Sequence, residues 1–360
     1  MSSRRARWAV PAGALVVTGG VLAGSLISSA SAAPGLPTRT PAQLLAEVAS
    51  ATAPPLTGTV VETASFGLPS LPATGSPTSL SSLLTGSHTI RVWYASPRHF
   101  RLAVPSSLSE SDVIRDGSTA WLWQSTLNKV TKYTLPASAP AEAVPHAPVT
   151  PQEAAKQVLA AVGPTTAVSV NPNVTVAGQA AYALVLAPRD HRSLVGQVQI
   201  DVDGKNGVPL RLQVFARGAS SPAFQVGFTA VQFVTPAAAD LSFTPPAGAT
   251  VTQENLSSDH GKPADTGGGT TIGKDWLTVL KLPASDLTAG PRGPGSGSPS
   301  PGDSAGVMNA LLNSATPVHG AWGSGRLLRT SLVSVLITDS GTAYIGAVEP
   351  AVLYDAAGKS

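Results

Sequence analysis

Apolar residues recur at every second position along much of this chain. Ile90, Val92 and Tyr94 share one face, with Arg91 and Trp93 opposite. After a turn at Pro97-Arg98, Phe100, Leu102 and Val104 continue the pattern, with Arg101 on the other side. Asp116-Gly117 signals a further turn, and Trp121 and Trp123 then fall on one face. Val198, Ile200 and Val202 alternate with Gln197, Gln199, Asp201 and Asp203, and Leu210, Leu212 and Val214 alternate with Arg211 and Gln213. One apolar and one polar face is the pattern of an antiparallel meander with a single core side. Strands are expected over Thr57–Thr63, 90–94, 100–104, 121–123, 130–135, 174–176, 182–186, 198–203, 208–215 and 224–229.

Two stretches break the alternation with helical spacing. Thr40-Pro41-Ala42-Gln43 offers a capping hydroxyl, a proline at the first helical position and a glutamine that can reach back to the cap. Leu44, Leu45 and Val48 follow on one side. Thr150-Pro151-Gln152-Glu153 repeats the signal ahead of Ala154, Ala155, Val158, Leu159 and Val162, and Gly163-Pro164 stops it. Residues 40–250 thus read as one α+β domain, a curved antiparallel sheet with two helices against it. Residues 67–86 form a Pro/Ser/Gly-rich loop, and 251–306 contain two Gly/Pro/Ser-rich linkers, 257–274 and 288–306. The remainder, 307–360, reads as a small unit: a helix over Val307–Leu312, a hairpin of Arg326–Thr338 with Thr342–Val348, and a terminal helix from Pro350 to Ala356.

Charge changes the picture at the N-terminus. The chain has 360 residues with 23 Lys and Arg against 20 Asp and Glu. Arg4, Arg5 and Arg7 precede an apolar run from Trp8 to about Ile27 that ends in Ala30-Ser31-Ala32, the layout of a secretory signal. Cleavage is expected after Ala32, the alternative for residues 1–32 being an uncleaved anchor. Without those residues the two signs balance, which removes the electrostatic case for a nucleic-acid partner. The absence of cysteine excludes disulfides, thiolate metal sites, a catalytic thiol and a lipid-modified N-terminus. Gly and Pro are abundant, at 35 and 32, and concentrate in the signal, turns and linkers.

Motifs for catalysis lack their structural context. Gly268 to Lys274 nearly spells a phosphate loop, but Asp275 stands where a Ser or Thr would hold magnesium, and no strand precedes it. Gly302-Asp303-Ser304-Ala305-Gly306 matches a nucleophile elbow but follows a Pro-rich linker instead of a strand. Asp201-Val202-Asp203-Gly204 starts like a calcium loop, yet Lys205 and Leu212 occupy ligand positions, so a hairpin turn is expected. The six His have no metal-ligand spacing. No catalytic residue, metal or cofactor is therefore assigned, and the chain is expected not to be an enzyme. A serine hydrolase using Ser304 ranks last among the functional alternatives.

One block of motifs resembles a known family. Ile90-Arg91-Val92-Trp93-Tyr94-Ala95-Ser96-Pro97-Arg98-His99-Phe100-Arg101, followed by Asp116-Gly117-Ser118-Thr119-Ala120-Trp121, resembles the P-x-x-F/L-R turn and D-G-x-x-x-W hairpin of the LolA/RseB-like periplasmic proteins. Val176-Ala177-Gly178-Gln179-Ala180-Ala181-Tyr182-Ala183-Leu184 and Val208-Pro209-Leu210-Arg211-Leu212 resemble later strands of that core, in order, over roughly 40–250. The Ala/Gly/Pro-rich composition suits the secreted or membrane-tethered members found in actinobacteria. The long 67–86 insertion departs from the pattern, and 307–360 lies outside it.

The resemblance implies a strongly curved, half-open barrel with lid helices over an apolar concave side that takes acyl chains. Trp93, Phe100, Leu102, Trp121, Trp123 and Tyr133 are then the candidates for the cavity lining, and Arg91, Arg98 and Arg101 for meeting a headgroup. It implies an extracytoplasmic carrier or sensor, secreted or tethered to the outer face of the cytoplasmic membrane, with a lipid or an acylated lipoprotein as partner. The alternative is an RseB-like regulator that binds a membrane anti-sigma factor.

Overall fold

The computed structural model describes residues 35–67, 85–106, 109–136, 139, 141–256, 269–289 and 314–359. The expected export signal, Ser304, the helix expected over 307–312 and most of the loop expected over 67–86 lie outside the described residues.

Twelve strands form the larger sheet. In chain order they are β1 (Leu56–Ser65), β2 (Thr85–Ser96), β3 (His99–Pro105), β4 (Glu110–Asp116), β5 (Thr119–Gln124), β6 (Lys129–Thr134), β7 (Thr166–Val176), β8 (Gln179–Pro188), β9 (Val195–Asp203), β10 (Pro209–Ala216), β11 (Pro222–Gln232) and β12 (Thr250–Asn255). Their spatial order is β12-β6-β5-β4-β3-β2-β1-β11-β10-β9-β8-β7. The sheet is curved, and its two edge strands do not pair, so it does not close into a barrel. Neighbours are antiparallel except β12, which runs parallel to β6. The turns follow their local chemistry. Gly117 takes a positive φ of 61° between β4 and β5, and the Asp203 carboxylate accepts from the Lys205 and Asn206 amides between β9 and β10.

Helix α1 (Pro41–Ser50) carries the expected reciprocal cap between Thr40 and Gln43, and in α2 (Pro151–Ala160) the Thr150 hydroxyl accepts from the Glu153 amide. Both press apolar stripes onto the inner face of the sheet, where Leu44, Val48, Ala154 and Ala155 join its core. The segment before α1 is tied down by the Tyr182 hydroxyl, which donates to the Pro37 carbonyl at 2.6 Å.

Strand β7 begins eight residues before the expected Val174. A bulge at Pro172–Val174, with Asn173 at φ 77°, interrupts the alternation and hides the first half. Pro172 is tolerated because β7 is an edge strand that need not donate at every position.

The second sheet corrects two expectations. Part of the expected linker region is ordered: β13 (Thr270–Ile272) and β14 (Val279–Pro283) join β15 (Thr316–Gly320), β16 (Gly323–Arg329), β17 (Ser334–Thr338) and β18 (Thr342–Gly346) in the order β13-β14-β18-β17-β16-β15. These linker-region strands are short and Gly-flanked, so composition masked them. The single long strand expected over Arg326–Thr338 is two strands. The Thr330 hydroxyl accepts from the Leu332 and Val333 amides and folds the chain back at Arg329-Thr330-Ser331, between two apolar stretches. Short helices α3 (Ala238–Leu241) and α4 (Ala284–Ala289) intervene, and α5 (Pro350–Gly358) packs on the second sheet through Leu353 and Ala356. The terminal helix was expected at this position.

The two sheets are joined at the strand ends where β1 finishes and β7 begins. The Leu194 amide donates to Ala347, the Glu349 amide to Arg192, and the Ser331 amide to Phe66. The Trp276 indole donates to the Thr166 hydroxyl at 2.8 Å. Arg217 braces the connecting loop by donating to the carbonyls of Ser193, Asp190 and Val195. Leu332, from the β16–β17 turn, is 6% exposed and belongs to the core of the first sheet.

Candidate functional site

The inner face of the large sheet is built by strand parity. Across β3, β4, β5 and β6, Leu102, Val113, Leu122 and Thr131 stand in one row, and Phe100, Arg115, Ala120 and Tyr133 in the next. On the other half, Val226, Leu212, Ile200 and Leu184 face one another across β11, β10, β9 and β8. All four are buried, so this region is aliphatic across four strands.

This inner face is covered unevenly. Helices α1 and α2 lie over the β7–β11 half. Between them is a cleft of about 250 Å³ lined by Val48, Ala155, Leu159 and Pro209, with Gln152 and Lys156 at its rim. That is below the usual range of ligand-pocket volumes, roughly 300–1,000 Å³. At the β4–β5 turn end, Leu135 and Val144 are buried in the core, and the segment that carries them closes this end of the sheet. Arg115 is fully buried there and donates to the carbonyls of Ala139 (2.7 Å) and Gly117 (3.2 Å). At the opposite end, Val104, Ser111, Gln124, Val214 and Phe224 are only half-buried, as are Glu62 and His88.

The expected lining residues divide between the two faces. Phe100, Leu102 and Tyr133 are on the inner face and buried. Burial, and then the nearby Glu254, hold the Tyr133 phenol up at about 12. Trp93, Trp121 and Trp123 are on the outer face, in contrast to the sequence-based grouping. The register pairs Trp93 with Arg101, Arg101 with Ile114, and Ile114 with Trp121, a row one residue out of step with Leu102 and Val113. A one-residue offset reverses the face. Aromatic identity alone does not reveal the offset, although counting parity from Phe100 and Leu102 would.

The outer tryptophans have their own partners. Arg101 sits 5.5 Å over the Trp93 ring and Lys132 5.2 Å over Trp121. The Phe243 ring lies 5.7 Å from that of Trp121. Phe243 belongs to the segment 233–249, including α3, which crosses from β11 to β12 and packs on β3 and β4. Beneath it Ala103, Asp112, Ile114 and Val130 are buried on what would otherwise be a solvated face.

The three arginines expected to meet a headgroup also divide. Arg101 pairs with the buried Asp112 and lies 3.9 Å from Glu110. Arg91 is exposed on the outer face, and Arg98 is exposed in the β2–β3 turn. None of them reaches the inner face by parity. Among the described residues, charged or imidazole side chains that do include Glu62, His88 and Arg115, with Lys129 and Glu254 near the β6–β12 edge. Their parity with Val60, Ile90 and Val113 was readable in the sequence. Burial of Glu62 raises its carboxyl above the usual value, and His88 opposes that shift.

Among the described residues no three His, Asp or Glu side chains gather as metal ligands, and no helix is long and apolar enough to cross a membrane. No family model matches the sequence. No curated protein matches it either. Solved structures do. A complex of Pseudomonas aeruginosa MucA and MucB is matched at 16% identity with a TM-score of 0.43, over 88% of this chain and 96% of that one. An uncharacterized conserved protein from Thermus thermophilus is matched at 14% identity and a TM-score of 0.33, over 59% and 98%. A LolA-superfamily protein from Nitrosomonas europaea is matched at 10% identity and a TM-score of 0.21, over 57% of this chain and 99% of that one.

Proposed function

We propose that this protein binds a hydrophobic ligand, a lipid or the acyl chains of a lipoprotein, on the concave face of its large sheet, and acts outside the cytoplasm as a carrier or sensor. The observation that carries this reading is the inner face itself. It is apolar across most of its strands, is covered by two short helices and a loop segment, and is only half-buried at the end where the second sheet is seated. An acyl chain entering such a face gains about 0.8 kcal/mol for each CH₂ it buries. Phe100, Leu102 and Tyr133, with the half-buried Val104 and Phe224, are the proposed contacts. The residues on this face suit binding and not bond-breaking chemistry. The export signature at residues 1–32 supports an extracytoplasmic site of action.

A second reading, a regulator that grips a membrane protein, is favoured by one feature. The second sheet has a core of its own, around Leu336, Tyr344 and Leu353, and is seated on the end of the first sheet where β1 finishes and β7 begins. Binding at that end and the seating of the second sheet would then be coupled.

Full-length protein secreted from its native host, analysed by native mass spectrometry and by extraction into organic solvent, is expected to carry a lipid-sized adduct. Protein without an adduct that also fails to take up a neutral apolar dye would overturn the ligand-binding reading.

A further inference from the structure

Glu62 and His88 stand directly opposite each other on β1 and β2, on the inner face. Glu62 also pairs with Val226 on β11, so one row reads His88, Glu62, Val226, Leu212, Ile200, Leu184 and Val170 across seven strands. Two titratable side chains are thus followed by five aliphatic ones. The row beyond, toward the end where β1 finishes, pairs Ala64 with Gly86. Strand β1 is seventh of the twelve from the β12 edge, so the carboxylate sits mid-sheet and not at an edge where solvation is free. A charge placed on the core side of a central strand costs desolvation unless a partner offsets it. The raised Glu62 carboxyl records that cost.

The Glu62 carboxyl group, facing His88 across the strand pair, places hydrogen-bond-accepting oxygens at the head of an aliphatic track. Ligand pockets of this kind take their specificity from a few polar groups in an apolar lining. We infer that Glu62, with His88, is the headgroup site of the concave face, and that the preferred ligand is a lipid whose head carries a protonated amine. The inference rests on the hydrophobic-ligand reading above. It replaces the arginine headgroup site expected from the sequence, because those arginines are on the outer face or in a turn.

The test uses the full chain at pH 7 with N-phenyl-1-naphthylamine, a neutral dye, and three competitors of equal chain length: dodecylamine, dodecanol and dodecanoate. Dodecylamine is expected to displace the dye at a concentration about ten-fold below dodecanoate, as a charge-assisted contact allows. Glu62→Gln is expected to remove that advantage and leave dodecanol unchanged. Glu62→Lys is expected to reverse it in favour of dodecanoate, which guards against a trivial folding defect in the first variant. Equal displacement by amine and carboxylate, or an amine preference that survives Glu62→Gln, overturns the headgroup assignment while leaving the apolar site intact. Failure of the dye to bind sinks the ligand-binding reading and this one with it.

Discussion

Arg101 and Asp112 lie on neighbouring strands, with the Trp93 ring under the guanidinium. Asp112 is 1% exposed, and one of its oxygens lacks a hydrogen-bond partner. Burial pushes its carboxyl up to about 6 from 3.8, with Glu110 adding to the rise and Arg101 opposing it. The folded state therefore holds a proton that the unfolded chain releases at lower pH. The stabilising effect of that proton is fully present below about pH 4 and is lost as pH rises through about 6. Arg101 offsets the charged form above this window. Replacing it with Leu strands a buried carboxylate, so Arg101→Leu should cost about 3 kcal/mol at pH 7. The cost should be clearly smaller at pH 4.5, where Asp112 takes up a proton. Urea unfolding of both proteins at the two pH values measures this, and a cost independent of pH would contradict it. The same residue scale shows why the aromatic candidates divided. Trp93 and Trp121 follow the parity of Arg101, not of Leu102, and each is capped by a cation.

Element geometry depends on a few tight contacts that composition does not reveal. A Cβ at Gly58 in β1 would lie 2.6 Å from the Ala230 carbonyl oxygen and 2.9 Å from the Phe228 ring. The cause is the irregularity between β1 and β11, where Thr59 faces Ala230 but Val60 faces Phe228. Gly58→Ala should therefore destabilise by roughly 1–3 kcal/mol through overpacking, in the opposite sense to the usual gain from replacing glycine in a strand. A shift of the urea midpoint at constant slope would report it. The helices were legible because their caps are local: Thr40 with Gln43, and Thr150 with the Glu153 amide, need only four consecutive residues. The second sheet was less legible. Its strand β13 has three residues and β14 five, too few for a period to emerge from a Gly-rich background. Its β16–β17 turn is made by a threonine hydroxyl between two apolar stretches and carries neither Gly nor Pro.

At the scale of the whole molecule, the two sheets share more than a linker. Leu332, at the tip of the β16–β17 turn, is buried in the core of the first sheet, next to the Ser331–Phe66 backbone bond. Truncating it opens a void at the seam, so Leu332→Ala should cost about 2–5 kcal/mol. Thermal unfolding of the parent protein is expected as one transition. Leu332→Ala should broaden or split it, because the second sheet retains the separate core around Leu336 and Leu353. A variant with an unchanged single transition would show that the seam contributes little. The crossing segment 233–249 acts on the same scale. By covering the outer face of β3 and β4 it buries Asp112 and Ile114, so this half of the sheet has two core sides where the sequence suggested one.

The sequence by itself determined the antiparallel character of the chain, the two capped helices, the principal turns and the balance of charge after residue 32. Each of these follows from contacts within a few residues: alternation of period two, a capping hydroxyl, a glycine free to take positive φ. Only the tertiary structure decided which face is the core side, because a run with apolar residues on both sides does not say which set a helix will cover. It also decided that the tryptophans and Arg101 pack outward under a crossing segment, that Arg115 is buried, and that Glu62 and His88 meet on the concave face. Those relations join residues tens of positions apart, and they depend on strand register, which the whole sheet fixes at once.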